Sequence, residues 1–365
     1  MLNRRKVLGG IAGGAGVAGL ASPALAKGTR ELSMVTSWPK NFPGQGTSAE
    51  RIADSVQRMT DGRITIKVYG AGELVPAFEV FDAVSSGKAD MYHSADYYFQ
   101  GKSSAYNFFS TVPFGLISNE LDAWVYHGGG QELWDEVSAG FGIKPHLCGN
   151  NGVQMGGWFN KEINSPEDFK GLKFRMPGVG GEVLRRLGAN TLTMPAGEVY
   201  TSLQSGAIDA AEWVGPWNDL SLGFYKVAKY YYWPGFHEPA STLCLGTNKT
   251  LWDGLDAFDQ NAIATACRVE NTAVPAEFYF NNMKALETLV DDHGVELREM
   301  PADVFNAFGE QTEIVLKELA DKDAITRKVY ESYVSFRNDV SKWTRVSNGA
   351  YIANRQLFLE KLLKP

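Results

Sequence analysis

Five side chains with the chemistry of a binding site lie close together in the middle of the sequence. They fall between residues 149 and 216, among many glycine and aromatic residues, and are Asn150, Gln154, Arg175, Glu212 and Trp213. The guanidinium of Arg175 is a permanent cation that can hold a carboxylate through two parallel hydrogen bonds. The side-chain oxygens of Gln154 and Glu212 are of the type that binds a hard cation. These residue types predict a site for a carboxylate bound together with a cation.

A structural ion pair is the second interpretation of the same residues. Arg175 lies in an apolar segment that is predicted to be a strand, where an unpaired buried charge would be strongly destabilising. Glu212 or Asp209 can supply the partner, and Gln154 can be an ordinary polar residue of its own strand. From spacing alone the ion pair is favoured, and both interpretations stay open at this point.

Signatures of known catalytic chemistry are missing from the sequence. The five histidines are scattered, and neither an HExxH motif nor a GxSxG elbow occurs. His237 and Glu238 place a base beside a carboxylate. Because neighbours on a strand face opposite sides, we treat Glu238 as a candidate site residue and expect His237 to be incidental.

Residues 1–26 have the pattern of an export signal. Arg4, Arg5 and Lys6 precede an uncharged apolar stretch, and the small residues Ala24 and Ala26 flank Leu25 as in a cleavage site. The arginine pair with its mildly apolar core resembles a twin-arginine signal, and a Sec signal is the alternative. Both predict a mature protein in the periplasm.

Composition disfavours two further classes of protein. The 365 residues carry a formal net charge of −7, and the predicted signal contains only basic charges, so the mature chain is more acidic still. An acidic chain without a basic cluster is not expected to bind nucleic acid. No second stretch approaches the roughly 20 apolar residues of a membrane span. Cys148, Cys244 and Cys267 are predicted to be small core residues, with one disulfide left open.

Alternating strand and helix signals predict an α/β fold with two lobes. The first lobe is predicted over residues 27–150 plus about 241–300, and the second over 151–240. Residues 301–365 are predicted to form C-terminal helices, the last of which carries an apolar stripe suited to a dimer contact or to packing on its own lobe. Ligands of such folds bind at the carboxyl ends of strands and between domains. The segments carrying Asn150, Arg175 and Glu212 can therefore converge on one cleft.

Several element boundaries are specific predictions. Strands are expected at 153–159, 210–214 and 295–300, the last of these in the first lobe. A helical run at 256–293 is expected to be kinked or broken at Pro275. The final helices are expected at 323–336 and 339–363.

Motifs spread over the mature chain resemble those of one protein family. They are GELVP at 72–76, YHGGG at 126–130, GVQMGGWF at 152–159, GLKFRMPG at 171–178 and AIDAAEWVGPWND at 207–219. Together they resemble the DctP-type solute-binding subunit of TRAP transporters, and the GVQMGGWF and EWVGP segments resemble its 2-oxo acid-binding branch. The resemblance implies a two-lobed periplasmic binding protein fold with long connecting helices, which closes around a monocarboxylate and delivers it to membrane permease subunits.

The same resemblance implies roles for individual residues. Arg175 matches the arginine that holds the ligand carboxylate. Gln154, Glu212 and the main-chain carbonyl of Trp213 match the ligands of a bridging Na⁺ or Ca²⁺ ion, with Glu238 at a further acidic position near it. Positions that hydrogen-bond the ligand match Asn150 and Tyr98. The last helix of such proteins commonly exchanges across a homodimer.

Two segments depart from the family pattern. Asp96 precedes the aromatic run that contains Tyr98, and His237 and Glu238 stand where relatives have a more aromatic, glycine-containing segment. Both changes are expected to border the pocket, so they bear on the ligand's side chain and not on the Arg175 anchor. The expected function is capture of a small 2-oxo or 2-hydroxy monocarboxylate such as pyruvate or lactate. The alternative is an exported metal-dependent enzyme acting on small carboxylic acids.

Overall fold

A computed structural model describes residues 28–363, so the predicted export signal lies outside the described residues. Within that range the strands are, in chain order, β1 (Arg30–Thr36), β2 (Ile64–Tyr69), β3 (Met91–Ser94), β4 (Ile143–Asn150), β5 (Gly157–Phe159), β6 (Lys173–Arg175), β7 (Asn190–Leu192), β8 (Ala210–Ala211), β9 (Tyr230–Trp233), β10 (Thr242–Asn248) and β11 (Glu296–Glu299).

The helices of the described range follow the same order. They are α1 (Gln45–Met59), α2 (Val80–Ser85), α3 (Tyr106–Ser110), α4 (Ser118–His127), α5 (Gly130–Ala139), α6 (Gly178–Arg186), α7 (Ala196–Gln204), α8 (Pro216–Leu222), α9 (Lys249–Asp253), α10 (Ala257–Glu287), α11 (Ala302–Ala320), α12 (Ala324–Val346) and α13 (Asn348–Leu363). Short 3₁₀ turns cover Asp96–Phe99, Pro166–Phe169 and Phe224–Lys226, and a π turn covers Thr288–Asp292.

Two mixed sheets with helices packed on them form the two lobes. The first sheet has the strand order β2–β1–β3–β10–β4, with β10 antiparallel to both of its neighbours. The second has the order β11–β9–β5–β8–β6–β7, with β5 antiparallel to β8 and β9. The predicted α/β class with a helical C-terminal region is confirmed.

Long helices connect the lobes. α10 packs on β4 of the first sheet and on α8 beside the second, and its Phe278 ring lies 5.2 Å from that of Trp217. α11 packs on α6, and α12 packs on α3, α4 and α5. The Tyr333 hydroxyl of α12 accepts a hydrogen bond of 2.8 Å from the backbone N–H of Leu116, in the segment between α3 and α4. Side-chain caps begin two of these helices, with Asp256 before α10 and Asp323 before α12.

The structure differs from the predicted elements at five points. Only residues 157–159 of the expected strand at 153–159 pair in a sheet, and β8 ends at Ala211, so Glu212 follows the strand. α10 continues through Pro275, because its packing on β4, α1 and α8 outweighs the missing N–H. The strand expected in the first lobe near 295–300 pairs with β9 of the second sheet. α12 extends to Val346, beyond the predicted end at 336.

Asp96 occupies the core of the first lobe. Its carboxylate accepts hydrogen bonds of 2.9 Å from the Tyr92 hydroxyl and 2.9 Å from the Trp134 indole. Burial raises the pKa of this carboxyl to about 6. The expectation that Asp96 borders the ligand pocket is therefore wrong for its side chain, because the 3₁₀ turn that it begins directs the carboxylate inward. The three cysteines are buried and unbridged, as the core interpretation predicted.

A second buried carboxylate, Asp219 in α8, ties the second sheet to the loop after β8. It accepts hydrogen bonds of 2.9 Å from the Trp158 indole, 2.7 Å from the Tyr231 hydroxyl and 3.4 Å from the backbone N–H of Val214. The Trp158 and Tyr231 rings stack at 4.1 Å. Asp219 thereby fixes the segment that carries Glu212 and Trp213. Burial raises the pKa of Asp219 to about 7.

Asp219→Asn is expected to flatten the dependence of stability on pH. The pKa of Asp219 rises from 3.8 to about 7 on folding, so between these values the folded protein holds a proton that the unfolded chain has released. The free energy of unfolding should fall as pH rises through this window, by about 2–4 kcal/mol from this group, and remain lower above it.

Chemical denaturation of both proteins at pH 5 and pH 8 measures this contribution. Asp54→Asn, at an exposed position of α1, is the control and should keep the wild-type pH profile. An equal loss of stability between the two pH values in wild type and Asp219→Asn would contradict the assignment.

Candidate functional site

Arg175 and Glu212 form a buried ion pair at the carboxyl ends of two neighbouring strands. Arg175 is the last residue of β6 and Glu212 directly follows β8, and the side chain of each is only 1% exposed. One guanidinium nitrogen, Nη1, donates both to a Glu212 carboxylate oxygen and to the Glu212 main-chain carbonyl at 2.9 Å. Nε donates to the carbonyl of Met194 at 3.2 Å. The structural ion pair that the spacing favoured is therefore present.

The guanidinium nevertheless keeps one end available for a ligand. Its remaining nitrogen, Nη2, is buried and has no hydrogen-bond partner among the described residues. The Trp213 ring covers the guanidinium at 4.6 Å from its centroid, and the Trp213 indole N–H is buried and also without a partner in that range. Burial is the largest single influence on Arg175 and disfavours its charged form, but Glu212, the two tyrosines of the site and Glu238 together hold its pKa above the ordinary value.

A group of metal-ligating side chains adjoins the ion pair. Glu212, His237 and Glu238 are buried, and their ligand atoms lie within 4.8 Å of one another. His237 Nε2 is 3.2 Å from the second Glu212 carboxylate oxygen. Gln154 donates from its amide nitrogen to Glu238 at 2.7 Å, and its own Oε1 is buried without a partner among residues 28–363. The structure thus brings Gln154, Glu212 and Glu238 together.

Electrostatics at this cluster favour an added positive charge. Burial is the main cause that raises the pKa of Glu238 to about 7, and repulsion by Glu212 is the next. Two carboxylates and an unpartnered amide oxygen are the donor set of a hard cation. The residues therefore fit the Na⁺ or Ca²⁺ ion that the family resemblance implies, with Gln154 Oε1 as the clearest ligand atom.

Aromatic side chains of the first lobe close the other side of the site. Tyr97 and Tyr98 lie in the 3₁₀ turn after β3, with ring centroids 4.6 Å apart. Burial and the nearby Glu238 raise the pKa of Tyr97 well above its ordinary value, and burial raises that of Tyr98. Both hydroxyls therefore remain protonated and can donate hydrogen bonds. Arg175 is among the charges that act on the pKa of both tyrosines, and the contact of Tyr98 with a ligand stays a prediction.

The hydrogen bonds of Asn150 are made with residues beside the site and not with the ion pair. It ends β4, and its side-chain oxygen accepts a hydrogen bond of 2.8 Å from the backbone N–H of Gly152, while its amide nitrogen lies 3.5 Å from the Thr242 hydroxyl. These contacts shape the turn that leads to Gln154. Within the described residues no contact of Asn150 with Arg175 or Glu212 is seen, so its role toward a ligand stays a prediction.

His237 is the site residue that sequence reasoning missed. The strand alternation used to set it aside does not apply, because residues 234–241 lie outside the strands and both His237 and Glu238 turn inward. Gly180 allows this approach, since a Cβ built there would lie 2.7 Å from the His237 Cβ. The adjacent Glu238 and the departure from the family pattern were the available signals.

Two α/β lobes around a buried cation-and-anion site define a receptor for small charged solutes. The family model for "Bacterial extracellular solute-binding protein, family 7" matches residues 34–323. The chain belongs to this family, the DctP solute-binding proteins of TRAP transporters. The predicted resemblance is confirmed.

Three individual relatives are similar to this chain over most of its length. A monocarboxylate 2-oxoacid-binding periplasmic protein from Nostoc sp. is 42% identical over 318 residues, which cover 87% of each chain. A TRAP periplasmic solute-binding protein from Colwellia psychrerythraea, solved with calcium and pyruvate, is 39% identical with a TM-score of 0.87, covering 89% of this chain and 99% of that one. Its counterpart from Pseudoalteromonas atlantica, solved with sodium and pyruvate, is 40% identical with a TM-score of 0.86 and the same coverage.

None of the helices within residues 28–363 is long and apolar enough to cross a membrane.

Removing only the charge of Glu212 is expected to destabilise the protein more than removing both charges of the ion pair does. Glu212→Gln leaves the Arg175 charge buried without compensation and should lower the free energy of unfolding by about 3–5 kcal/mol. Arg175→Met combined with Glu212→Gln should lose less than the sum of the single changes, with a coupling energy above about 2 kcal/mol.

A double-mutant cycle by chemical denaturation measures this coupling. The exposed pair Lys342–Asp339 is the matched control, and its coupling is expected within about 1 kcal/mol of zero. Additive losses for Arg175 and Glu212 would show that the buried pair is not a coupled unit.

Proposed function

We propose that this protein captures a small 2-oxo or 2-hydroxy monocarboxylate together with Na⁺ or Ca²⁺ in the periplasm and delivers it to the TRAP permease. The proposal rests on two buried polar groups that have no hydrogen-bond partner among the described residues. Arg175 Nη2 is a cationic donor and Gln154 Oε1 is a neutral acceptor, each without a partner in the described chain. A carboxylate suits the first and a cation suits the second.

Arg175 is the proposed anchor for the ligand carboxylate. Met194 and Glu212 hold Nε and Nη1, so the orientation of the guanidinium plane is fixed before a ligand arrives. Nη2 can then donate to the carboxylate without reorganisation of the side chain. The Trp213 and Tyr98 side chains border the same space and exclude water, and each can add a hydrogen-bond donor.

The cation ligands in this proposal are Gln154, Glu212, Glu238 and the main-chain carbonyl of Trp213. When bound, the cation supplies positive charge that offsets the carboxylates and coordinates the ligand's 2-oxo or 2-hydroxy oxygen. Without it, a ligand carboxylate would enter a buried site that already holds Glu212 and Glu238. This charge balance is the reason that anion and cation are expected to bind together.

The lobes supply different sides of the site. Tyr97 and Tyr98 come from the first lobe, whereas Arg175, Glu212 and Glu238 come from the second. Hinged movement of the lobes can therefore open the site to solvent, and closure buries the ligand and strengthens its electrostatic contacts. The role is binding and release without chemical conversion, and the protein's proposed receiver is the membrane permease.

A homodimer is proposed through the last helix. α13 carries exposed apolar side chains along its length, and they include Tyr351, Ile352, Leu357, Phe358 and Leu362. A solute-binding protein from Bordetella bronchiseptica, 35% identical with a TM-score of 0.90, was solved as a dimer with calcium and picolinate at one site. Its dimeric state supports the proposal of a homodimer.

Arg175→Lys is expected to weaken binding of pyruvate by about 100-fold or more, because the ammonium keeps the charge beside Glu212 but loses the planar fork. Arg175→Ala is expected to abolish binding. Calorimetric titration with pyruvate and lactate in the presence of calcium or sodium measures both. Arg185→Lys, on the exposed face of α6, is the control and should bind as wild type does.

Retention of micromolar affinity in the Arg175→Ala protein, with folding verified by thermal denaturation, would contradict the anchor. Incubation of the protein with pyruvate or lactate tests the enzymatic alternative, in which His237, in contact with Glu212, would act as the base. Unchanged pyruvate or lactate after prolonged incubation is expected. Turnover of either acid that is lost in His237→Gln would establish an enzyme instead.

A further inference from the structure

We propose that a pocket at the hinge between the lobes binds a small organic cation with N–H donors and an apolar body, and that this occupant favours lobe closure. The hinge pocket lies between α4, α10 and the segments around Gly152 and Pro239, and has a volume of about 360 Å³. This volume is within the roughly 300–1,000 Å³ of small-molecule sites. The binding site is independent of the proposed function, whereas its effect on closure rests on it.

Three chain segments that connect the lobes line the hinge pocket. Residues 151–156 run from β4 of the first sheet to β5 of the second and contribute Gly152 and Val153. Residues 234–241 return from β9 to β10 and contribute Pro239. The α10 helix follows the strands of the first sheet and leads to β11 of the second. Because lobe movement changes the backbone of such connections, an occupant that contacts all three responds to the arrangement of the lobes.

Asp122 of α4 supplies negative charge to the hinge pocket. It is half-buried, and no lysine, arginine or histidine is found among the described residues of the lining. Burial raises the pKa of Asp122, and the hydrogen bond of 2.9 Å that it accepts from the Asn271 amide acts in the opposite direction. A partly buried carboxylate without a cationic partner favours an added positive charge.

Asn271 adds two hydrogen-bond acceptors beside this charge. Its side-chain Oδ1 is buried and has no partner among residues 28–363, and the residue is only 5% exposed. Its main-chain carbonyl would accept a hydrogen bond from the N–H of residue 275 in a regular α-helix, but Pro275 has no N–H. Both Asn271 and Pro275 line the hinge pocket. The proline inside α10 therefore provides an acceptor for a ligand.

The remaining walls suit an apolar body. Ile117, Val153 and Pro239 are apolar, and Tyr279, one turn after Pro275, presents an exposed ring of the kind that attracts organic cations. A hard metal ion would find a single carboxylate, because Asp122 is the one acidic residue among the described lining residues. A cation with N–H donors and an apolar body satisfies both the acceptors and the apolar walls.

The direction of the coupling follows from the arrangement of the lobes. Arg175, Glu212 and Glu238 are buried in this structure, so the hinge pocket has the shape that accompanies closed lobes. A ligand that fits this shape stabilises the closed form relative to an open form in which the connections have moved. It should therefore raise the affinity for the carboxylate ligand.

Benzamidinium is a suitable probe, because it is a cation at neutral pH and joins N–H donors to a phenyl ring. Calorimetric titration of benzamidinium into protein supplied with saturating calcium and pyruvate measures the hinge pocket while the carboxylate site is occupied. Binding at a single site is expected. Benzamide, which is neutral, and benzyltrimethylammonium, which has no N–H donor, should each bind at least about tenfold more weakly.

Asp122→Asn removes the charge and keeps an acceptor for the Asn271 amide, so it should weaken binding of benzamidinium at least about tenfold. Glu132→Gln, at an exposed position of α5 outside the lining, is the matched control and should bind as wild type does. Pro275→Ala returns an N–H to the Asn271 carbonyl and should weaken binding about threefold or more. Its Tm should be equal to that of wild type or higher, because alanine is the better helix former, and this separates a lost acceptor from a damaged fold.

Saturating benzamidinium is expected to raise the affinity of wild type for pyruvate at least about fivefold, and to change that of Asp122→Asn by less than about twofold. Absence of benzamidinium binding to wild type, or equal binding by Asp122→Asn, would overturn the hinge pocket. Binding that leaves the pyruvate affinity of wild type unchanged would overturn its coupling to closure. Failure of wild type to bind pyruvate would overturn the proposed function and the coupling, whereas binding of benzamidinium that depends on Asp122 would still establish the hinge pocket.

Discussion

The buried ion pair between Arg175 and Glu212 is the interaction on which the rest of the structure depends. Two opposite charges with almost no solvent exposure are tolerated only when their remaining hydrogen-bonding groups are satisfied. Here Met194 and the Glu212 carbonyl hold two guanidinium nitrogens, and His237 contacts the second carboxylate oxygen. Arg175 Nη2 and Gln154 Oε1 have no partner among the described residues, and the proposed function assigns them to the ligand carboxylate and the cation.

The surrounding fold keeps these charges in place at the junction of the two lobes. Parallel pairing of β6 with β8 sets Arg175 beside Glu212, and Asp219 fixes the loop that follows β8. The α10 helix packs on β4 of the first sheet and on α8 beside the second sheet, and so connects the two lobes. One charge balance therefore links the parts: ionised Glu212 and Glu238 with Arg175 sum to −1, and a ligand carboxylate would lower this to −2 unless a cation enters with it.

The sequence predicted the fold class, and it predicted that Gln154, Glu212 and Glu238 come together, because these depend on residue type and on the order of the segments. Arg175 was expected near the end of its strand, and the structure places it there, whereas Glu212 was expected inside a strand at 210–214 and follows β8 instead. His237 was missed because its orientation depends on an irregular loop, where strand alternation carries no information. Pro275 was expected to kink or break α10, which is continuous through it, and the strand at 295–300 was assigned to the first lobe but pairs with β9. Both outcomes depend on tertiary packing that a local pattern does not contain.

The central claim is that the cation and the carboxylate bind as a coupled pair around Arg175 and Glu212. It is tested most directly by calorimetric titration of pyruvate into protein freed of cations by chelation and dialysis, and again at saturating calcium or sodium. We predict that one of these cations raises the affinity for pyruvate at least tenfold, and that pyruvate raises the affinity for that cation by the same factor. Equal pyruvate affinity with and without every cation would contradict the account.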